Sequence, residues 1–289
     1  MLLRTLRYGR PDTLAEAIRM LEESPSARPL AGGQSLINVL KHRAAEVGAV
    51  IDVSRLEELR AIEVDGSGGL TIGAACTYEQ IGASDAVLAA HPKVAEVAAG
   101  LVDQQVRCRG TIGGNACFND AGSNFPPLLV ALDATMRVAG PSGEREVAAE
   151  DFFLDTYSVA LGPGELLRSI VLAPAAGTTI GYSSLQPSED SWALARAVAR
   201  VRCNGVIADS RVVIGCVSGA QPRAAAVEQA LRGADPSPEA IAAAAELGDR
   251  DLEPPSDVHA GAGYRRKMAR VMVRRALTEA TDQARRTNG

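Results

Sequence analysis

Apolar residues recur at two spacings along the chain, and the changes between them mark out its elements. In TLAEAIRMLEE, Leu14, Ala17, Ile18 and Leu21 fall at helical intervals, with Asp12 or Thr13 available as N-cap and Glu16 in the first turn. PLAGGQSLI and AVIDVSRL follow as apolar stretches joined by a short polar segment, which predicts strand, glycine turn, short helix and strand. AIEVDGSGGLTIGAACT alternates and turns at Asp65 to Gly69, as a hairpin does. Residues 78–106 read as helix in two pieces broken at His91-Pro92, and PPLLVALDA reads as another helix or apolar segment.

TMRVAGPSGEREVAAEDFF predicts a second hairpin, turning at Pro141 to Gly143. The Pro/Gly-rich stretch at 172–181 is the best domain boundary. Beyond it the pattern gives two strands and a helix, then the helices PEAIAAAAELGDRDLE and YRRKMARVMVRRALTEA, with TDQARRTNG as a frayed tail. The expected division is 1–57 and 58–174 as two subdomains and 175–285 as a separate α+β domain.

Composition narrows the chemistry. Thirty Lys plus Arg against 35 Asp plus Glu give a net charge of -5 without long runs of either sign, which argues against nucleic acid or an anionic membrane as partner. No apolar run reaches the roughly 20 residues of a membrane span, and the N-terminus lacks the features of a secretory signal, so a cytoplasmic location is expected. The five cysteines and three histidines are scattered without ligand spacing, which leaves no metal site in this chain.

Two glycine-centred stretches stand apart: Ala31-Gly32-Gly33-Gln34-Ser35 and Thr111-Ile112-Gly113-Gly114-Asn115. Paired glycines permit positive φ and remove Cβ atoms, so successive N–H groups can converge on an anion; each pair could equally be a plain tight turn. Neither matches the dinucleotide or mononucleotide fingerprints G-x-G-x-x-G and G-x-x-x-x-G-K-[ST]. Two such turns about 80 residues apart, each after an apolar run, suit a diphosphate clamped between subdomains.

With those turns in view, PLAGGQSLINVLKHRAAEVGAVIDVSRL, QVRCRGTIGGN and DVHAGAGYRRKMARVMVRRAL together resemble the FAD-binding medium subunits of molybdenum hydroxylases, the family of the carbon monoxide dehydrogenase flavoprotein subunit and the xanthine dehydrogenase FAD domain. The resemblance implies an α+β chain with the two-subdomain FAD-binding fold of the vanillyl-alcohol oxidase and p-cresol methylhydroxylase group, plus a C-terminal α+β domain. It implies that Leu30, Ala31, Gly32, Gly33, Gln34, Ser35, Leu36 and Ile37, with Thr111, Ile112, Gly113, Gly114 and Asn115, wrap the FAD diphosphate and ribityl chain. Asp120 is the family's acidic residue after the second turn, Asn124 faces the cofactor, and Leu161 lies by the flavin or adenine rings.

The implied partners are a molybdopterin-binding large subunit and a small subunit with two 2Fe-2S clusters, as a dimer of heterotrimers. The implied role is to pass electrons from those clusters through FAD to an external acceptor. Two departures qualify the match. Asn124 stands where relatives carry Asp, and Ser183 where they carry Lys, a loss that is expected to lower the flavin potential unless another cation substitutes. The alternatives are a self-sufficient FAD-dependent oxidase or dehydrogenase of the same fold, and a flavin-free assembly subunit.

Overall fold

The computed structural model describes residues 3–288 except 102, 176, 189, 190, 219 and 251, with side chains described to 286. Packing divides the chain into two units: 1–118, 134–152 and 159–173 form the first, and 119–133, 153–158 and 174–289 the second.

The first unit holds two sheets. β1 (Arg7–Gly9), β2 (Ala27–Leu30) and β3 (Ala49–Asp52) form a parallel sheet in the order β1-β3-β2. α1 (Leu14–Glu22) makes the first crossover. Thr13 caps it by accepting from the Glu16 N–H at 3.2 Å, and the helix buries Leu14, Ala17 and Leu21. α2 (Leu36–Lys41) lies between β2 and β3.

β4 (Ile62–Val64), β5 (Leu70–Gly73), β6 (Thr135–Gly140), β7 (Gly143–Ala148) and β10 (Leu166–Leu172) make an antiparallel sheet ordered β4-β5-β10-β6-β7. Both hairpins turn where the sequence places them. At the first, the Asp65 carboxylate accepts from the N–H groups of Ser67 and Gly69. Leu14, Ala17, Ile51, Val53, Leu56, Leu59 and Leu166 share one core, so the two sheets are built around common apolar side chains.

The helical stretch is more broken than its periodicity predicts. α3 (Tyr78–Gly82), α4 (Asp85–Ala90), α5 (Pro92–Ala99) and α6 (Gln104–Arg107) replace two pieces, because Thr77, Ser84 and Asp103 each cap a new start. α7 (Ile112–Phe118) begins inside the second glycine stretch, α9 (Ala149–Phe152) follows β7, and β8 (Phe153–Asp155) and β9 (Ser158–Val159) pair as a two-stranded sheet.

In the second unit, β11 (Thr179–Leu185), β12 (Ala195–Cys203) and β13 (Ile207–Gly215) form an antiparallel sheet. β12 alternates small core residues with larger ones: Ala195, Ala197, Ala199 and Val201 join the buried cluster under α12 (Ala262–Asn288). The small side chains admit the helix closely. A Cβ on Gly181 would lie 1.8 Å from the Ala276 carbonyl oxygen, and Thr179 Oγ1 donates to the Ala280 carbonyl at 2.7 Å. α10 (Ala225–Leu231) and α11 (Pro238–Ala245) complete the cluster.

α8 (Phe125–Ala131) packs on β12 and β13, with every residue buried. This is why 119–133 group with the C-terminal strands, where the sequence division at 174 assigns them to the FAD-binding half. The tail read as frayed continues as helix: α12 runs to Asn288 and buries Thr281 and Ala284. Gly289 lies outside the described residues.

Candidate functional site: a cofactor cavity in the first unit

A cavity of about 270 Å³ opens between the two sheets of the first unit. From one side Leu30, Ala31, Gly32, Gly33, Gln34, Ser35 and Leu36 line it, and from the other Thr111, Gly113, Gly114, Asn115 and Leu161. These are the residues singled out in the sequence, brought together across the unit. Ile37 and Ile112 do not line the cavity; Ile112 is fully buried and the Ile37 N–H is bonded to the Gly33 carbonyl at 3.3 Å. Asp120 and Asn124 belong to the second unit and are no part of this lining.

The two glycine turns hold different geometries. In the first, Gly33 sits at φ +74°, a left-handed conformation that side chains with a Cβ rarely adopt. Gly32 is glycine for space: a Cβ there would lie 2.0 Å from the Arg109 carbonyl oxygen, so the first turn rests directly on the backbone leading into the second. Among the described residues, no acceptor takes the N–H groups of Gly32, Gly33, Gln34, Ser35 or Leu36. Ser35, at the N-cap of α2, makes no side-chain cap bond.

The second turn does not present bare N–H groups, contrary to the expectation for a symmetric pair of anion cradles. The Ile112 N–H donates to the Cys76 carbonyl (3.1 Å), Gly113 to the Ala74 carbonyl (2.9 Å), Gly114 to Thr111 Oγ1 (3.0 Å) and Asn115 to the Thr111 carbonyl (3.0 Å). The segment after β5 takes the first two and the start of α7 the other two. What this turn gives the cavity is close-packed backbone at Gly113 and Gly114 and the Asn115 amide, which hydrogen-bonds Tyr78. Burial raises the Tyr78 phenol well above its usual range, so it stays neutral.

Among the described residues, Arg28 and Glu165 are the only charged ones in the lining. Arg145 donates from Nε and Nη2 to the two Glu165 oxygens at 2.8 and 2.7 Å, and the Gly162 N–H donates to one of them at 2.6 Å. The Arg145 bonds hold the Glu165 carboxyl below its usual range, so it is ionised at neutral pH. Arg145 Nη2 also donates to the Ala160 carbonyl at 2.6 Å, which pins the turn that carries Leu161. Cys117 lines the wall, and burial pushes its thiol up to about 12, an inert state.

Sequence reasoning missed Val53, Leu59, Ala74, Ala75, Tyr78 and Leu166 in the wall. Their signal is contact and not pattern: β5 and the residues after it carry the second turn through the Thr77–Thr111 bridge. Arg107, just before the second turn, is committed to the Leu101 carbonyl (3.1 Å) and to Glu79 (3.8 Å). Ser183 faces α12, its Oγ 3.3 Å from Met272 Sδ. A lysine there meets the α12 core first: Ser183→Lys is expected to lower the second unit's stability by about 1–3 kcal/mol, seen as a lower urea midpoint, ahead of any effect on flavin potential.

The donor set fits a dinucleotide diphosphate. It offers unpaired backbone N–H groups, a glycine-lined floor in which Gly32 and Gly113 leave no space for a Cβ, and little side-chain charge, with room for one stretch of the molecule. Comparison with known proteins agrees. Residues 4–175 match the FAD binding domain in molybdopterin dehydrogenase, and residues 181–280 match the CO dehydrogenase flavoprotein C-terminal domain. The carbon monoxide dehydrogenase medium chain of Hydrogenophaga pseudoflava is 36% identical over 276 residues, covering 94% of this chain and 96% of that one. The glyceraldehyde dehydrogenase medium chain of Sulfolobus acidocaldarius is 33% identical, over 94% and 97%. The solved carbon monoxide dehydrogenase of Hydrogenophaga pseudoflava superposes with a TM-score of 0.94 at 36% identity, covering 98% of this chain and 99% of that one.

The fold and cavity thus define an FAD-binding domain followed by a flavoprotein C-terminal domain. The chain belongs to the family of FAD-binding medium subunits of molybdenum hydroxylases, whose members include the medium chains of carbon monoxide dehydrogenases.

Proposed function

We propose that the chain binds FAD with its diphosphate against Gly32 to Leu36, and that it relays electrons within a molybdenum hydroxylase complex. The observation that carries the site is the row of cavity-lining residues from Gly32 to Leu36, whose N–H groups have no protein acceptor among the described residues. Ser35 Oγ and the Asn115 amide supply further hydrogen bonds along the phosphates and ribityl chain, and Leu161 and Leu167 give an apolar wall for a ring. FAD, when bound, supplies a two-electron store that can be filled and emptied one electron at a time.

On this reading the chain receives electrons from two 2Fe-2S clusters of a small subunit, while a molybdopterin-binding large subunit oxidises the substrate. An external acceptor then takes them from this chain. The assembly is a dimer of heterotrimers in the cytoplasm. No helix among the described residues is long and apolar enough to cross a membrane. A self-sufficient oxidase needs its own base; the cavity's one carboxylate, Glu165, is already engaged by Arg145 and Gly162.

The test is purification of the native complex with cofactor and subunit identification, followed by anaerobic substrate addition. Flavin bleaching in the complex, with none in the isolated chain, is the expected result. Bleaching of the isolated chain by an organic substrate would replace this reading with the oxidase.

A further inference from the structure

Glu165 stands in the cavity wall with the wrong charge for an anionic ligand. It ends the turn 162–165, which closes on itself. The Glu165 N–H donates to the Gly162 carbonyl at 3.1 Å, the Gly162 N–H donates to the Glu165 carboxylate, and Gly164 between them takes φ +76°. The side chain lies over Gly140 of β6, where a Cβ would come within 2.7 Å of Glu165 Cγ. The carboxylate's place is therefore built into two elements of the first unit.

Arg145 answers that charge. It belongs to β7, opposite Val138 of β6, and reaches the carboxylate from outside the lining. Its Nε and Nη2 fork onto the two Glu165 oxygens, and Nη2 also serves the Ala160 carbonyl, so one guanidinium ties both ends of the stretch 160–165. Glu165 is the more buried partner, its side chain 18% exposed against 44% for Arg145. A forked arginine–carboxylate pair holds a fixed geometry where a single exposed ion pair does not.

Arg28, the other charged residue of the wall, is engaged elsewhere. Its Nη1 donates to the carbonyls of Pro25 and Ala27 at 3.2 and 2.8 Å, and among the described residues it forms no ion pair with a carboxylate. Arg28, Glu165 and Arg145 together carry one net positive charge, and without Arg145 they carry none. An uncancelled carboxylate in a partly dry cavity repels a diphosphate more strongly than the same charge in bulk water.

We propose that Arg145 is a positioning residue for the cavity's ligand: it cancels and fixes the Glu165 carboxylate so that an anionic diphosphate can lie in the same cavity. The proposal rests on reading the cavity as the FAD site. The test titrates full-length wild type, Arg145→Met, Glu165→Gln and the double variant, each stripped of flavin, with FAD at low and at high ionic strength, and measures thermal midpoints alongside. The expected result is an FAD Kd raised about tenfold in Arg145→Met at low ionic strength and less in high salt, with a return to within about threefold of wild type when Glu165→Gln is added.

A lower thermal midpoint in Arg145→Met with Kd unchanged would make the pair a stabilising one only and overturn the proposal. A raised Kd that salt does not alter and Glu165→Gln does not restore would also overturn it, because that pattern belongs to the shape of the turn and not to charge. Should Arg145→Met fail to fold, Glu165→Gln decides. With Arg145 left uncancelled it should bind FAD at least about threefold more tightly than wild type at low ionic strength, and equal or weaker binding overturns the proposal. A wild-type chain that takes up no FAD removes the functional reading and this proposal with it; wild-type binding matched by all three variants removes the proposal alone.

Discussion

Gly114→Val is expected to give a chain that folds and purifies without flavin. Gly114 lines the cavity, and the only atom near its ideal Cβ is Thr111 Oγ1 at 2.8 Å. That hydroxyl can rotate, at the loss of its bond from the Gly114 N–H, so the variant's stability should stay within about 1 kcal/mol of wild type. The branched methyls instead occupy space at the cavity wall. Loss of that space should raise the FAD Kd by at least about 100-fold, because backbone-lined cradles have no side chain that can yield. Flavin absorbance per chain after purification, with far-ultraviolet circular dichroism as the fold control, checks the result. Full flavin content in Gly114→Val would remove the second turn from the cofactor site.

The neighbouring residue should behave oppositely. A Cβ on Gly113 would lie 2.5 Å from both the Ala74 Cβ and the Ala74 carbonyl oxygen, and that oxygen accepts the Gly113 N–H at 2.9 Å. Backbone, not a movable side chain, stands in the way. Gly113→Ala is therefore expected to cost about 3 kcal/mol or more and to lower the first unit's stability before it touches affinity. Denaturant unfolding, followed with and without added FAD, distinguishes the two glycines: the ligand should restore little to Gly114→Val and a measurable part to Gly113→Ala.

Much of the cavity was legible because it is made of small residues whose presence has no other local explanation. Gly32, Gly33, Gly113 and Gly114 are conspicuous in a string of letters, and the structure gives each a reason. The division of labour between the turns was not legible. Whether an N–H is free depends on what lies opposite it, and the carbonyls of Ala74 and Cys76 that occupy the second turn lie some 40 residues away. The same limit applies to Asp120 and Asn124. Their distance in sequence from Asn115 is short, yet they group with the other unit, half-buried beside α8, which is buried on every residue. Nor was the burial of Arg196 legible: it is one of three arginines in β12 and reads as an exposed position, yet it is 1% exposed.

The interleaving of the units bears on how the protein is made. The chain passes between them at 118/119, 133/134, 152/153, 158/159 and 173/174. On the ribosome α8 therefore emerges before β11 to β13, the strands on which it packs, have been synthesised. Until they arrive, Phe125, Leu128 and Leu129 stand uncovered, and a fragment ending at 173 would carry that apolar face permanently. The flavin-binding half cannot be trimmed away by one cut, and the burial of α8, embedded in its sequence, waits for the C-terminal strands.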